Sequence, residues 1–145
     1  MLAMAAGTAE RCDIELSRMV NLLRGAQNVG QTRVYLNAYG ECVGFVAWAF
    51  LSPPVEREYL RGNRRPLGEW EYNEGTSAWI LDLAVRRGCL KYIMADMRDN
   101  IFAQCEQITY SRMRQAKCLT KRLSRNDRSS FMRNGQRASP SWEAR

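Results

Sequence analysis

The 145-residue chain contains no histidine. That absence removes the side chain that ordinarily acts as general base near neutral pH, so a Ser-His-Asp hydrolase is excluded. Proton transfer must fall to Asp, Glu, Cys, Lys, Tyr or a held water. Zinc also loses its commonest nitrogen ligand, and the cysteines do not compensate. Cys12, Cys42, Cys89, Cys105 and Cys118 form no CxxC pair and keep no metal-ligand spacing. No metal site is expected, and five reduced thiols fit a cytoplasmic protein. Long hydrophobic runs are missing as well: none approaches the ~20 residues that cross a bilayer, so no membrane span is expected. The opening MLAMAAGTAER has no basic segment ahead of its short apolar run and makes a poor signal peptide.

What is present suits one soluble domain with a real core: 46% of residues are hydrophobic and 26% charged. The net charge of +7 is unevenly spread. From Ser124 onward, Arg125, Arg128, Arg133, Arg137 and Arg145 face only Asp127 and Glu143. That segment is rich in Ser, Arg and Asn and has no apolar period, so it reads as a disordered basic tail. Such a tail could touch nucleic acid, but it lacks interleaved aromatics, and a solvated tail is the better reading. The expected division is a single domain over 1–123 and a tail over 124–145.

Within the domain, Cys12, Leu16, Met19, Val20 and Leu23 keep the spacing of an amphipathic helix over 9–24, with Thr8 to open it and Gly25 to close it. RVYLNA and CVGFVAWAFLS flank a glycine turn and predict an antiparallel hairpin. The second run is apolar on both faces, as in a central strand. Pro53-Pro54 ends it, VEREYLRG predicts a short helix, and GNRRPLGEWEYNEG a polar loop. A strand over 78–85 follows. Leu90, Ile93, Met94, Met97 and Ile101 then mark a helix, and 108–114 with 117–123 predict a last strand pair. The order predicts an α+β sandwich: one mostly antiparallel sheet flanked by helices.

The strand AWILDLAV has a carboxylate in an otherwise apolar run, where an unpaired charge is costly to desolvate. Asp82 is therefore either a buried ion pair or backbone acceptor, or a group kept for chemistry. Val43 to Trp48, Glu58-Tyr59-Leu60 and Trp79 to Ala84, taken in order, resemble the toxin-activating lysine acyltransferases, of the GCN5-related acyltransferase type. The resemblance covers roughly residues 18–115.

That resemblance implies a GCN5-related fold and transfer of a fatty acyl group from acyl carrier protein to a lysine amine of a protoxin. The donor is a phosphopantetheine thioester, and no tightly bound cofactor is implied. It also implies a catalytic pair, an N-terminal histidine and the strand aspartate. Asp82 matches the aspartate. Nothing matches the histidine, and the family's segment around it is missing. Backward extension puts Cys12 near its place, and one small gap puts Glu15 there instead. Glu15 could assist Asp82 as base, or Cys12 could take the acyl group as nucleophile, though a lone Cys on an apolar helix stripe is usually core filler.

Arg86-Arg87-Gly88 stands where a strand meets a helix, which the resemblance assigns to the donor's phosphate; a solvated basic turn is the other reading. Phe45, Trp48 and Trp79 are candidates for the wall of an acyl channel, or simply core. A basic body suits an acidic carrier protein. The expected acceptor is a lysine-like amine on a protein toxin or on a ribosomally made peptide. A non-catalytic relative that only binds carrier or peptide is the rival, a small nucleic-acid-binding domain is the third reading, and a homodimer is compatible with the sequence.

Overall fold

The computed structural model describes residues 16–114 and 117–126. Five strands form one sheet in the order β1-β2-β3-β4-β5: Thr32–Leu36, Cys42–Leu51, Ser77–Val85, Gln107–Arg114 and Lys117–Ser124. All neighbours are antiparallel except β3 and β4. The α+β arrangement, the mostly antiparallel sheet and the succession of strands and helices along the chain are those the sequence predicts. The parallel pair arises because a helical crossover, α3 (Leu90–Asp96) continued by a π-helical turn (Met97–Ile101), returns the chain to the same end of the sheet.

The other helices are α1 (Leu16–Asn28), α2 (Pro53–Leu60) and a 3-10 turn at Glu69–Tyr72. On one face of the sheet, Phe45, Ala47, Ala49, Leu51, Trp79 and Ala84 pack under Leu23 and Ala26 of α1, Val55 and Tyr59 of α2, and Tyr72. On the other face, Val46, Trp48, Ile80 and Ile108 pack under Ile93 and Met97. Each large side chain taken fully out of water contributes roughly 1.5–3 kcal/mol, so two covered faces explain why β2 is apolar throughout.

Two local expectations change. Gly25 does not end α1, which runs on to Asn28. A Cβ at Gly25 would lie 2.5 Å from the Tyr72 hydroxyl, whose O–H donates to Leu22 O at 2.9 Å. The glycine is a seat for a ring, and burial pushes that phenol up to about 12. The segment 62–75 is also more than a polar loop, because Glu71 and Tyr72 are buried. Arg65 pairs with Glu71 and with Glu58, and Gly68 N–H donates to Glu71, so a folded turn closes over the sheet. The Arg65 guanidinium, ahead of the opposing cost of burial, holds the Glu71 carboxyl below the usual carboxylate range.

Ser124 pairs with Gln107, and the Arg125 guanidinium donates to the carbonyls of Arg98, Phe102, Ala103 and Cys105. One cation thus satisfies the carbonyl end of the α3 crossover. The remainder of the tail lies outside the described residues. A chain ending at Asn126 should keep the thermal midpoint within about a degree, the composition of 127–145 offering little to pack. Arg125→Ala should lower it by roughly 3–8 °C, the cost of orphaning those acceptors. Differential scanning calorimetry of the two variants checks both outcomes.

Candidate active site

Period-2 alternation along β3 would put Asp82 on the face of Ala78 and Ile80, under α3. A β-bulge prevents this. Trp48 lies opposite Ile80 and its neighbour Ala47 lies opposite Asp82, so Leu81 is an extra residue in β3. One inserted residue shifts everything after it to the other face. Asp82 accordingly shares the face of Ala47, its direct partner, and of Ala84, beneath α1 and α2. Leu83 and Val85 turn to the α3 face.

The bulge has a second effect. Pairing of β3 with β4 consists of Ala78 with Ile108, Trp79 with Thr109 and Ile80 with Tyr110. It stops at Ile80, where the bulge begins. The strand is therefore not buried on both faces along its whole length: Leu81, Asp82 and Leu83 are half-buried. Asp82 Oδ1 accepts the N–H of Leu83 at 2.9 Å, so one carboxylate oxygen is oriented by the backbone. Its nearest neighbours on the sheet, Ala47 and Ala84, are small.

The remaining candidates divide by face. Phe45 lies opposite Ala84 and Trp79 opposite Ala49, so both flank Asp82 on its own face; both are fully buried. Trp79 meets Tyr59 edge-on at 5.6 Å. Trp48 is on the opposite face, edge-on to Phe102 at 6.2 Å, away from the carboxylate. Cys12 and Glu15 lie outside the described residues. The helix that follows them, α1, packs on the face of Asp82 through Leu22, Leu23 and Ala26.

Arg86, Arg87 and Gly88 form an exposed turn after β3. Gly88 has φ +92°, the left-handed conformation that lets the chain reverse into α3. Arg86 N–H donates to Val43 O at 2.8 Å, and its guanidinium meets Glu41 at 3.2 Å. Asn37 first, and Arg86 second, hold the Glu41 carboxyl below its ordinary range. Arg87 has no ion pair among the described residues.

Sequence reasoning did not single out Glu56. Its Oε1 accepts from Ser77 Oγ at 2.6 Å, Trp79 Nε1 at 3.4 Å and Arg122 at 3.3 Å, tying α2 to β3 and β5 beside the buried Trp79. The one available signal was a polar Ser two residues before Trp on a strand, which presents two donors to one face. Asp96 was likewise missed. It accepts from Arg33 and Tyr35, each at 2.7 Å, and from Asn100 at 2.6 Å, fastening α3 to β1. Among the described residues no cluster of Cys, Asp and Glu could hold a metal ion, and no helix is long and apolar enough to cross a membrane.

Residues 1–127 match the family model described as HlyC, the RTX toxin acyltransferase family. The chain belongs to that family. An uncharacterized protein of Synechocystis sp., sll0720, is 31% identical over 88 residues, covering 60% of this chain and 59% of its own length. A solved structure, the GNAT-like decarboxylase GphF in complex with isobutyryl-CoA, is similar with a TM-score of 0.46 and 16% identity, over 79% of this chain and 60% of that one. This member of the acyltransferase family thus spans less than two thirds of either relative. A structural likeness that weak says nothing of activity.

Proposed function

We propose that this chain moves a fatty acyl group from acyl carrier protein to a lysine-like amine, on a protein toxin or a ribosomally made peptide, with Asp82 as general base. The observation that carries the reading is the bulge of β3. In a chain of an acyltransferase family, it turns the strand carboxylate to a half-buried position beside the point where the β3–β4 pairing ends. The end of the β3–β4 pairing at Ile80 lies next to Asp82, and an extended, amide-bearing pantetheine arm of a carrier that ran along the strands beyond it would reach the carboxylate.

The chemistry balances without a cofactor. A lysine amine, protonated below its pKa of about 10.4, must lose a proton before it attacks. Asp82 takes that proton, the nitrogen bonds to the thioester carbon, the C–S bond breaks, and the nitrogen's second proton passes to the departing pantetheine thiolate, which leaves as the thiol. Alignment of two bound reactants supplies much of the rate. In the covalent alternative Cys12 accepts the acyl group first, with release of the same thiol, and Glu15 is the alternative helper of the base. Phe45 and Trp79 would border the acyl chain on the side of Asp82.

The test is to mix the purified protein with acyl-loaded carrier and candidate acceptor peptides and weigh the products. A peptide heavier by one acyl chain is expected, with no hydroxylamine-labile adduct on the enzyme. An adduct lost in Cys12→Ser would transfer the central role to the thiol. Carrier binding with no product under any acceptor would favour the non-catalytic relative.

The turn at Arg86, Arg87 and Gly88 is proposed to meet the donor's phosphate. Arg86→Ala with Arg87→Ala should raise the KM for acyl carrier protein at low salt. The effect should fade as salt screens exposed charges over ~8–10 Å. Arg87→Ala alone should give most of it, since Arg86 is already engaged by Glu41. An unchanged KM at low ionic strength would leave the turn a solvated one.

A further inference from the structure

The β4–β5 hairpin outruns the sheet. Its base is anchored to β3 by the pairs that end at Tyr110, while β4 continues to Arg114 and β5 begins at Lys117. Residues directly opposite in an antiparallel pair share a face, so Ile108 with Leu123, Tyr110 with Lys121, and Arg112 with Leu119 all lie on one side. That side is the α3 side, because Ile108, Tyr110 and Leu123 pack in the same cluster as Ile93 and Met94. Arg112 and Lys121 are exposed, and Leu119 keeps 37% of its surface in water. The start of α3, over the same face of the sheet, has Leu90 at 52% exposure and the exposed Arg87 and Lys91.

Among the described residues none of Arg87, Lys91, Arg112 and Lys121 is paired with a carboxylate. The α3 side of the sheet therefore presents two exposed leucines, Leu90 and Leu119, and four cations without a carboxylate partner. An apolar centre with a charged rim is the make-up of a protein interface. Nucleic acid would ask for a row of aromatic platforms, and the hairpin and the start of α3 expose a single large ring, Tyr92 at 48%.

We propose that the α3 side of the β4–β5 hairpin and the start of α3 together dock an acidic protein surface. Resting on the function proposed above, that surface is the donor's carrier, the protein that brings the acyl arm. Arg112, Lys121 and Leu119 then add a second contact beyond the basic turn, and they set the carrier's orientation. Specificity of this kind acts through encounter and salt dependence.

The experiment uses the full chain and holo acyl carrier protein. Arg112→Glu with Lys121→Glu should weaken binding in titration calorimetry by roughly ten-fold at low salt, and raise the KM for acyl carrier protein by a like factor. Transfer from acyl-pantetheine, which has no protein surface, should keep its rate within about two-fold. Arg24→Glu, an exposed charge on α1, is the control and should leave carrier binding unchanged. Leu119→Ser provides a second variant that keeps the charge, and should also weaken the complex. If the wild type transfers from carrier and the double reversal binds it equally well, the docking surface is wrong while the function stands. If the wild type transfers from neither donor, the proposed function fails, and carrier binding lost only in the double reversal would still support the surface. Tighter binding to single-stranded RNA than to carrier, abolished by the same reversal, would overturn the assignment to a protein partner.

Discussion

Asp82→Asn should fold like the wild type and lower turnover roughly 100-fold or more, the typical contribution of a positioned general base. The folding half of this expectation rests on shape. Asn is nearly isosteric, its oxygen can still accept the Leu83 N–H, and its nearest neighbours on the sheet, Ala47 and Ala84, are small. The chemical half rests on proton affinity: an amide oxygen cannot take up the proton that a lysine amine must lose at neutral pH. The deficit should therefore narrow as pH rises towards the amine's own pKa of about 10.4, where the acceptor sheds its proton unaided. A pH–rate profile of both enzymes on one acceptor peptide measures this directly. Turnover equal to the wild type's at pH 7 would remove Asp82 from the mechanism.

The largest effect on stability is expected from Gly75→Ala. An added Cβ would collide with the Leu51 carbonyl and lie 2.5 Å from Ser52 N, and these are backbone atoms that cannot swing aside. Leu51 is fully buried at the end of β2, and Ser52 leads directly into α2. Gly75 N–H also donates to Phe50 O at 2.9 Å, so the loop cannot move off without breaking that bond. Overpacking costs about 1–3 kcal/mol, with rigid backbone placing this case at the upper end, read as a lower denaturation midpoint at unchanged slope. Gly88→Ala is the contrast. Among the described residues beyond its chain neighbours no atom lies within 4 Å of the place its methyl group would take, and only the left-handed φ opposes the side chain, at about 1 kcal/mol. Gly75→Ala with a midpoint close to that of Gly88→Ala would mean that the 73–76 loop relaxes freely.

Much of the frame was legible because it rests on short-range rules. The glycine turn between two β-rich runs gave the β1–β2 hairpin, Pro53 marked the strand-to-helix change, and the 3.6-residue spacing of Ile93 and Met97 located α3. The π-helical turn at Met97–Ile101 was not legible, since a single widened turn leaves the apolar spacing nearly intact. The buried Glu71 and Tyr72 were hidden for a different reason: their partners, Arg65 and α1, are fixed by the folded chain and not by any local pattern.

The candidate site divides in the same way. The sequence by itself determined that the chain holds no histidine, that one carboxylate sits in an apolar strand, and that a basic turn follows it. These are matters of composition and order. Which face the carboxylate occupies was decided only by the tertiary structure. Strict alternation would have set Asp82 beside Ile80 under α3, and the extra residue at Leu81, visible only as the register of β3 against β2, moved it under α1 and α2. The same inserted residue put Trp79, three positions before Asp82, on the carboxylate's face, and strand pairing brought Arg112 and Lys121 to the side of α3. Register is a property of two strands together, set by which packing buries the most apolar surface, and no single strand's residues contain it.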